Sequence, residues 1–145
     1  LPPGSMEHPI LPGDRLIGNR LAFLKDTPER GDVVIFHYPD DQEELYVKRV
    51  IGLPGEVVEI KDGKVYIDGS PTPLDDSFIP EKMIGSYGPY TVPENCYFML
   101  GDNRNDSKDS RSWKNKFVRF DQLVGKAVVR YYPSLKYFLF LFIIH

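Results

Sequence analysis

An all-β or nearly all-β fold is predicted for this chain, and three observations predict it. Six short segments are rich in β-branched and aromatic residues, and most are bounded by Gly, Pro or Asp. The junction Asp62-Gly63 is a two-residue hairpin signal. No segment sustains the period of a helix.

The first predicted strand is DVVIF at 32–36, which starts after Gly31 and stops short of Pro39. The second is YVKRVIG at 46–52, closed by the turn residues of LPGE. EVVEI at 56–60 and KVYID at 64–68 form the strongest hairpin. Asp62 and Gly63 supply the two positive-φ positions of a type I′ turn, so Ile60 should face Val65 and Val58 should face Ile67. The stretch 70–93 is rich in Pro, Gly and Ser and reads as an irregular insertion or small lid. CYFML at 96–100 and KAVVRYY at 126–132 complete the set, with room for at most a turn or two of helix in FDQLVGK at 120–126.

With 145 residues the chain suits a single domain with a real core and a small appendage. A net charge of −3 argues against a nucleic-acid surface, which carries a basic patch. Cys96 is the only cysteine, so no internal disulfide forms, and no Cys/His cluster has zinc spacing. It reads as a small apolar filler. The opening LPPGSM lacks a start methionine, as expected of a fragment. The apolar run at 137–144 is shorter than the roughly 20 residues a span needs. It is expected either to pack as a terminal strand or to meet lipid or a neighbouring molecule.

The second strand poses a chemical problem. Alternation puts Lys48 on a face with Tyr46 and Val50, and Arg49 on the other with Val47 and Ile51, so each apolar face carries a cation. Burial disfavours a charged amine and lowers its pKa, and a neutral lysine is a general base. The plainer reading is an edge-strand lysine reaching water. Arginine keeps its proton, so a buried Arg49 needs a carboxylate.

A lysine base needs a nucleophile, and serine–lysine pairs are a known variant of the serine–histidine arrangement. Ser5 follows two prolines and a glycine in PPGSM, a stiff, exposed backbone that a substrate carbonyl can approach, though an ordinary turn serine fits the same residues. His8, His37 and His145 are poorly placed for a histidine triad. The segment GDNRNDSKDSRSW at 101–113 fails as a calcium loop, with Arg104 at a ligand position, Ser107 for the required glycine and Trp113 for the final Glu. It reads either as a solvated loop or as an ion-pair and hydrogen-bond lattice beneath a site.

Taken together, GSM with ILPGDRL, RGDVVIF, YVKRVIGLPGE and GDNRNDSKDSR occur in an order that resembles the bacterial type I signal peptidases, membrane-bound serine proteases that remove signal peptides from exported proteins. The likeness covers roughly 1–133, and the compact insertion is closest to that of Gram-positive members. It implies a fold of coiled antiparallel sheets, with 1–145 one catalytic domain and roughly 61–93 a small insertion or lid within it. It implies Ser5 as nucleophile and Lys48 as general base, Ser107 orienting the amine, Asp102 paired with Arg49, and Asp109 with Arg111. Leu1, Pro2, Met6, Ile10, Tyr46 and Val47 match positions that shape shallow pockets for the small residues at minus one and minus three of a signal peptide. No metal or organic cofactor and no nucleic acid are implied. The implied partners are signal peptides and a membrane lipid surface. The implied location is the extracytoplasmic face of the cell membrane, with the transmembrane anchor upstream and outside this chain. Two positions depart from the pattern: His8-Pro9 follow Ser5-Met6-Glu7, and Pro3 stands where some members place a hydroxyl residue.

Two other functions fit parts of the same residues. A self-cleaving serine–lysine protease shares the chemistry but not the full segment at 101–111. A non-catalytic β-module binding peptides or the membrane surface would have no need to keep Ser5 and Lys48 together.

Overall fold

The structure, a computed structural model, describes residues 15–19, 21–75, 83–102, 104, 108–131 and 139–140; at 15–19, 128–131 and 139–140 it describes backbone pairing only. Among these residues the strands are β1 (Arg15–Asn19), β2 (Val33–Tyr38), β3 (Asp41–Gly52), β4 (Val57–Lys61), β5 (Lys64–Ile67), β6 (Tyr87–Thr91), β7 (Cys96–Leu100), β8 (Phe117–Arg119), β9 (Leu123–Tyr131) and β10 (Leu139–Phe140). A 3-10 turn, Phe120–Gln122, joins β8 to β9. The larger sheet runs β1-β9-β2-β3-β7-β8, with β10 also pairing β9, and the smaller runs β5-β4-β6. All strand pairs are antiparallel.

The hairpin between β4 and β5 has the predicted register, with Val58 opposite Ile67 and Ile60 opposite Val65. Asp62 and Gly63 take φ of 48° and 79°, the left-handed region the turn demands. Gly63 is needed twice over, because a Cβ there would lie 1.9 Å from the Met83 carbonyl oxygen.

Strands β3 and β7 of the larger sheet form a wall between two cores. Val50, Tyr97 and Met99 point into one core with Val34, Phe36, Tyr46, Trp113 and Val118. Their neighbours Ile51, Phe98 and Leu100 point the other way, into a second core closed by Val58, Ile60, Val65, Met83 and Val92. A strand buried on both faces has no reason to alternate, which is why CYFML is apolar throughout. Gly52 sits where β3 meets the smaller sheet, and a Cβ there would approach Val58 Cγ2 to 2.6 Å and Phe98 Cβ to 2.9 Å.

The structure adds to the sequence reading in three places and bears on one alternative it left open. β6 lies inside 70–93, which reads as irregular because of Gly88 and Pro89. Proline is tolerated there because, among the described residues, β6 is an edge strand that pairs β4 alone. β1 and β8 are also strands; β8 has only three residues, and β1, RLIGN, carries the turn formers Gly18 and Asn19 at its end. β3 begins at Asp41 because Pro39 and Asp40 turn β2 directly into it, leaving the polar residues 41–44 and Leu45 exposed on a hairpin arm. At the C-terminal end, Leu139–Phe140 pair with Tyr131 and Arg130 of β9.

Candidate active site

The centre of β3 is held on both sides, by β2 and by β7. Lys48 lies there opposite Val34 of β2, with no exposed surface. Burial lowers its pKa from 10.5 to about 8, against the attraction of Asp109; Arg111 pushes it down further and Asp102 pulls it up. The amine sits over the ring of Tyr46, 5.5 Å from its centroid.

Arg49, on the other face and with its side chain 14% exposed, has a carboxylate partner. Its Nε and a terminal nitrogen donate to the two carboxylate oxygens of Asp102 at 2.8 and 2.5 Å, and its third nitrogen donates to the Gly31 carbonyl at 2.9 Å. Such two-pronged pairing fixes both groups in direction as well as in charge.

The chain leaving β7 folds around Asp109, a fully buried carboxylate. Asp109 accepts from the Gly101 amide at 3.2 Å, from the Arg111 amide at 3.1 Å and from the Arg111 guanidinium at 2.8 and 2.9 Å. Its own carbonyl accepts from the amides of Ser112 and Trp113. The Ser110 hydroxyl accepts from the Met99 amide at 2.9 Å, while the Ser110 amide donates to the Met99 carbonyl, so the turn is stapled to β7. Arg104, almost wholly buried, donates to the Gly101 carbonyl at 2.8 Å and receives Arg111 on its own carbonyl. This is a hydrogen-bonded ion lattice placed beside a buried lysine. Its charges act on that amine from close by, Asp109 and Asp102 favouring the protonated form and Arg111 the neutral one.

Of the residues singled out from sequence, Lys48, Arg49, Tyr46 and Val47 lie on β3, and Asp102, Asp109 and Arg111 lie in the segment after β7. The structure brings these two groups together. Ser5, Ser107, Leu1, Pro2, Met6 and Ile10 lie outside the described residues. Sequence reasoning missed several participants. Arg30 and Glu56, 26 positions apart, form a two-pronged pair at 2.6 and 2.8 Å, and Glu56 also accepts from the Leu53 amide. Lys126 pairs with buried Asp32 at 3.3 Å. Tyr87 of β6 lies under the Arg111 guanidinium at 5.3 Å, so the smaller sheet reaches the lattice. Only the requirement that each buried charge find an opposite could have pointed to these pairs, and it does not say which.

Residues 1–132 match the family model described as signal peptidase, peptidase S26. A probable signal peptidase I-2 of Synechocystis sp. is 39% identical over 138 residues, covering 92% of this chain and 62% of its own length. A signal peptidase I of Bacillus caldolyticus is 36% identical over 95% of this chain and 80% of its own. The crystal structure of a signal peptidase I from Enterococcus faecalis superposes with a TM-score of 0.60 at 33% identity, over 70% of this chain and 97% of that one. The chain therefore spans about 62% of the length of the Synechocystis relative.

Proposed function

This chain belongs to the signal peptidase family, peptidase S26, and on that premise we propose that it is a serine endopeptidase that removes signal peptides from exported preproteins, with Ser5 as nucleophile and Lys48 as general base. The observation that carries the reading is Lys48 itself, fully buried on β3 with its pKa brought down to about 8. An amine of that pKa is partly neutral at pH 7 and strong enough to take a serine proton, close to the optimum for a general base. Lysine at its ordinary value would be locked in the protonated form.

The reaction is acyl transfer in two halves. Ser5 Oγ attacks the scissile carbonyl carbon as its proton passes to Lys48 Nζ. The C–N bond then breaks, and Lys48 returns that proton to the leaving amine. Water next attacks the Ser5 ester, losing a proton to Lys48, and the ester C–O bond breaks with the proton delivered to Ser5. The Ser5 backbone amide donates to the oxyanion, a type of contact worth about 3–4 kcal/mol. Ser107 orients the amine, and the Asp102–Arg49 and Asp109–Arg111 pairs support it. No step calls on a metal or an organic cofactor.

The substrates in this reading are signal peptides with small residues at minus one and minus three. Leu1, Pro2, Met6, Ile10, Tyr46 and Val47 form the shallow pockets. The membrane surface, on its extracytoplasmic side, is the second partner. Leu21 and Leu24, 70% and 74% exposed, are the apolar surface residues that support it. The chain is one catalytic domain, and 61–93, with β5 and β6, is an insertion in it. The test is cleavage of a synthetic signal peptide with alanine at minus one and minus three. Ser5→Ala should abolish it and leave the melting temperature unchanged; wild-type turnover in that variant overturns the nucleophile.

A further inference from the structure

The aromatic residues beside Lys48 are arranged more strictly than core filling requires. Tyr46 is stacked on Tyr38, with centroids 4.2 Å apart and planes within 5°. Trp113 presses edge-on against both, 5.8 Å from Tyr46 and 5.2 Å from Tyr38, and Phe36 fills the angle 6.3 Å from Tyr46. Tyr38 is fixed in turn, because its hydroxyl donates to Asp40 at 3.2 Å. Asp40 also accepts from the amides of Lys114 and Asn115 and from the Asn115 side chain, each at 2.8 Å. The β2–β3 turn is thus clipped to the segment that carries Trp113. That segment begins as the Asp109–Arg111 turn, so one stretch of chain sets both the charges near Lys48 and the wedge behind Tyr46. The stack ends at the Lys48 amine, 5.5 Å from the Tyr46 centroid.

We propose that Tyr46, locked in place by Tyr38 and Trp113, is a positioning residue whose ring face holds the protonated amine of Lys48 and so sets how readily the amine gives up its proton. This rests on the reading of Lys48 as general base. An aromatic face attracts a cation and has no comparable attraction for a neutral amine, and the attraction grows when water is excluded. Burial drives Lys48 toward the neutral form, and Tyr46 opposes that drive from the same strand. The charged groups facing the amine are Asp109, Arg111 and Asp102, all from the segment after β7. β2 presents the apolar Val34 opposite it, and the Asp32 carboxylate further along is paired with Lys126. Tyr38 keeps its proton while Lys48 titrates, its pKa pushed up to about 12 by burial and by Asp40. Burial raises Tyr46 as well. The stack therefore does not change charge while the lysine does.

The experiment replaces Tyr46 by phenylalanine and then by phenylalanines carrying one to three ring fluorines, which drain the ring face while nearly keeping its shape. Two midpoints are followed against pH: the 13Cε resonance of Lys48 and kcat/KM on the synthetic signal peptide. Tyr46→Phe, which keeps the ring face, is the reference for the series, and relative to it the fluorines should move both midpoints stepwise to lower pH. The total shift should be roughly half to one and a half pH units. A 13Cε midpoint that stays fixed across the series, or moves to higher pH, overturns the proposal. A 13Cε midpoint that moves while the kcat/KM midpoint does not upholds the ring contact and overturns Lys48 as the base.

Discussion

Lys48 and Arg49 are adjacent residues on β3, yet the two faces of that strand solve the burial of a cation by opposite means. On the Arg49 face the charge is kept and neutralised by a partner, the Asp102 carboxylate, at 2.5 and 2.8 Å. At Lys48 burial, aided by Arg111, outweighs the upward pull of Asp109 and Asp102, and the pKa settles near 8. Arginine has no neutral form within reach, so a pair is its only route into the interior. Lysine has one, and a neutral lysine is reactive. The difference teaches that a buried cation is a support when it is paired and a reagent when its proton is loosened.

The largest effect should come from erasing the difference on the Lys48 face. Lys48→Arg places a permanent charge where a removable one is needed, and cleavage of a synthetic signal peptide should fall by about 10²–10⁴-fold, the contribution of a positioned general base. Near-normal turnover in this variant would show that the proton is taken elsewhere.

Stability should respond with opposite signs on the two faces. Asp102→Ala strands Arg49 in a site where its side chain is only 14% exposed, and should cost about 3–5 kcal/mol by chemical denaturation. Lys48→Met should instead raise stability at pH 7, by up to about 3 kcal/mol, since the fall in pKa from 10.5 to about 8 is a cost of burying the charged form. The folded value lies below the unfolded one. Between pH 8 and 10.5 the unfolded chain therefore holds a proton that the folded chain has shed, so wild-type stability rises across that window. The advantage of Lys48→Met should fade over the same range. Two variants that destabilise equally, at every pH, would remove the distinction between the faces.

The smallest effect should come where neither solution is required. Glu59 and Lys61 pair at 3.5 Å on the surface, 37% and 60% exposed, and water does most of the screening. Glu59→Ala should change stability by less than about 0.5 kcal/mol. A larger loss would mean that surface pairing helps hold the smaller sheet.

The parts of this molecule that were legible in the sequence are those with local causes. The Asp62-Gly63 turn fixes the β4–β5 register because only two residues connect the strands and both need positive φ. The alternation of YVKRVIG puts Lys48 and Arg49 on opposite faces whatever the rest of the fold does. β6 was hidden because Gly88 and Pro89 carry turn signals that an edge strand can overrule, and edge position is a property of the whole sheet. The Arg30–Glu56 and Lys126–Asp32 pairs were hidden for the same reason, since they join residues 26 and 94 positions apart. The density of charge in 101–113 was visible, but two readings fitted it. Only the packing of Asp109 and Arg104 into the interior separates a lattice from a solvated loop.

The most direct test of the central claim is the pH dependence of kcat/KM on a synthetic signal peptide. If the proton acceptor is a lysine loosened by burial, activity rises with pH through a midpoint near 8, where Lys48 becomes neutral, and levels off above it. A rise centred near 6.5, as for a histidine, or one still climbing at the ordinary lysine value of about 10.4, would contradict it.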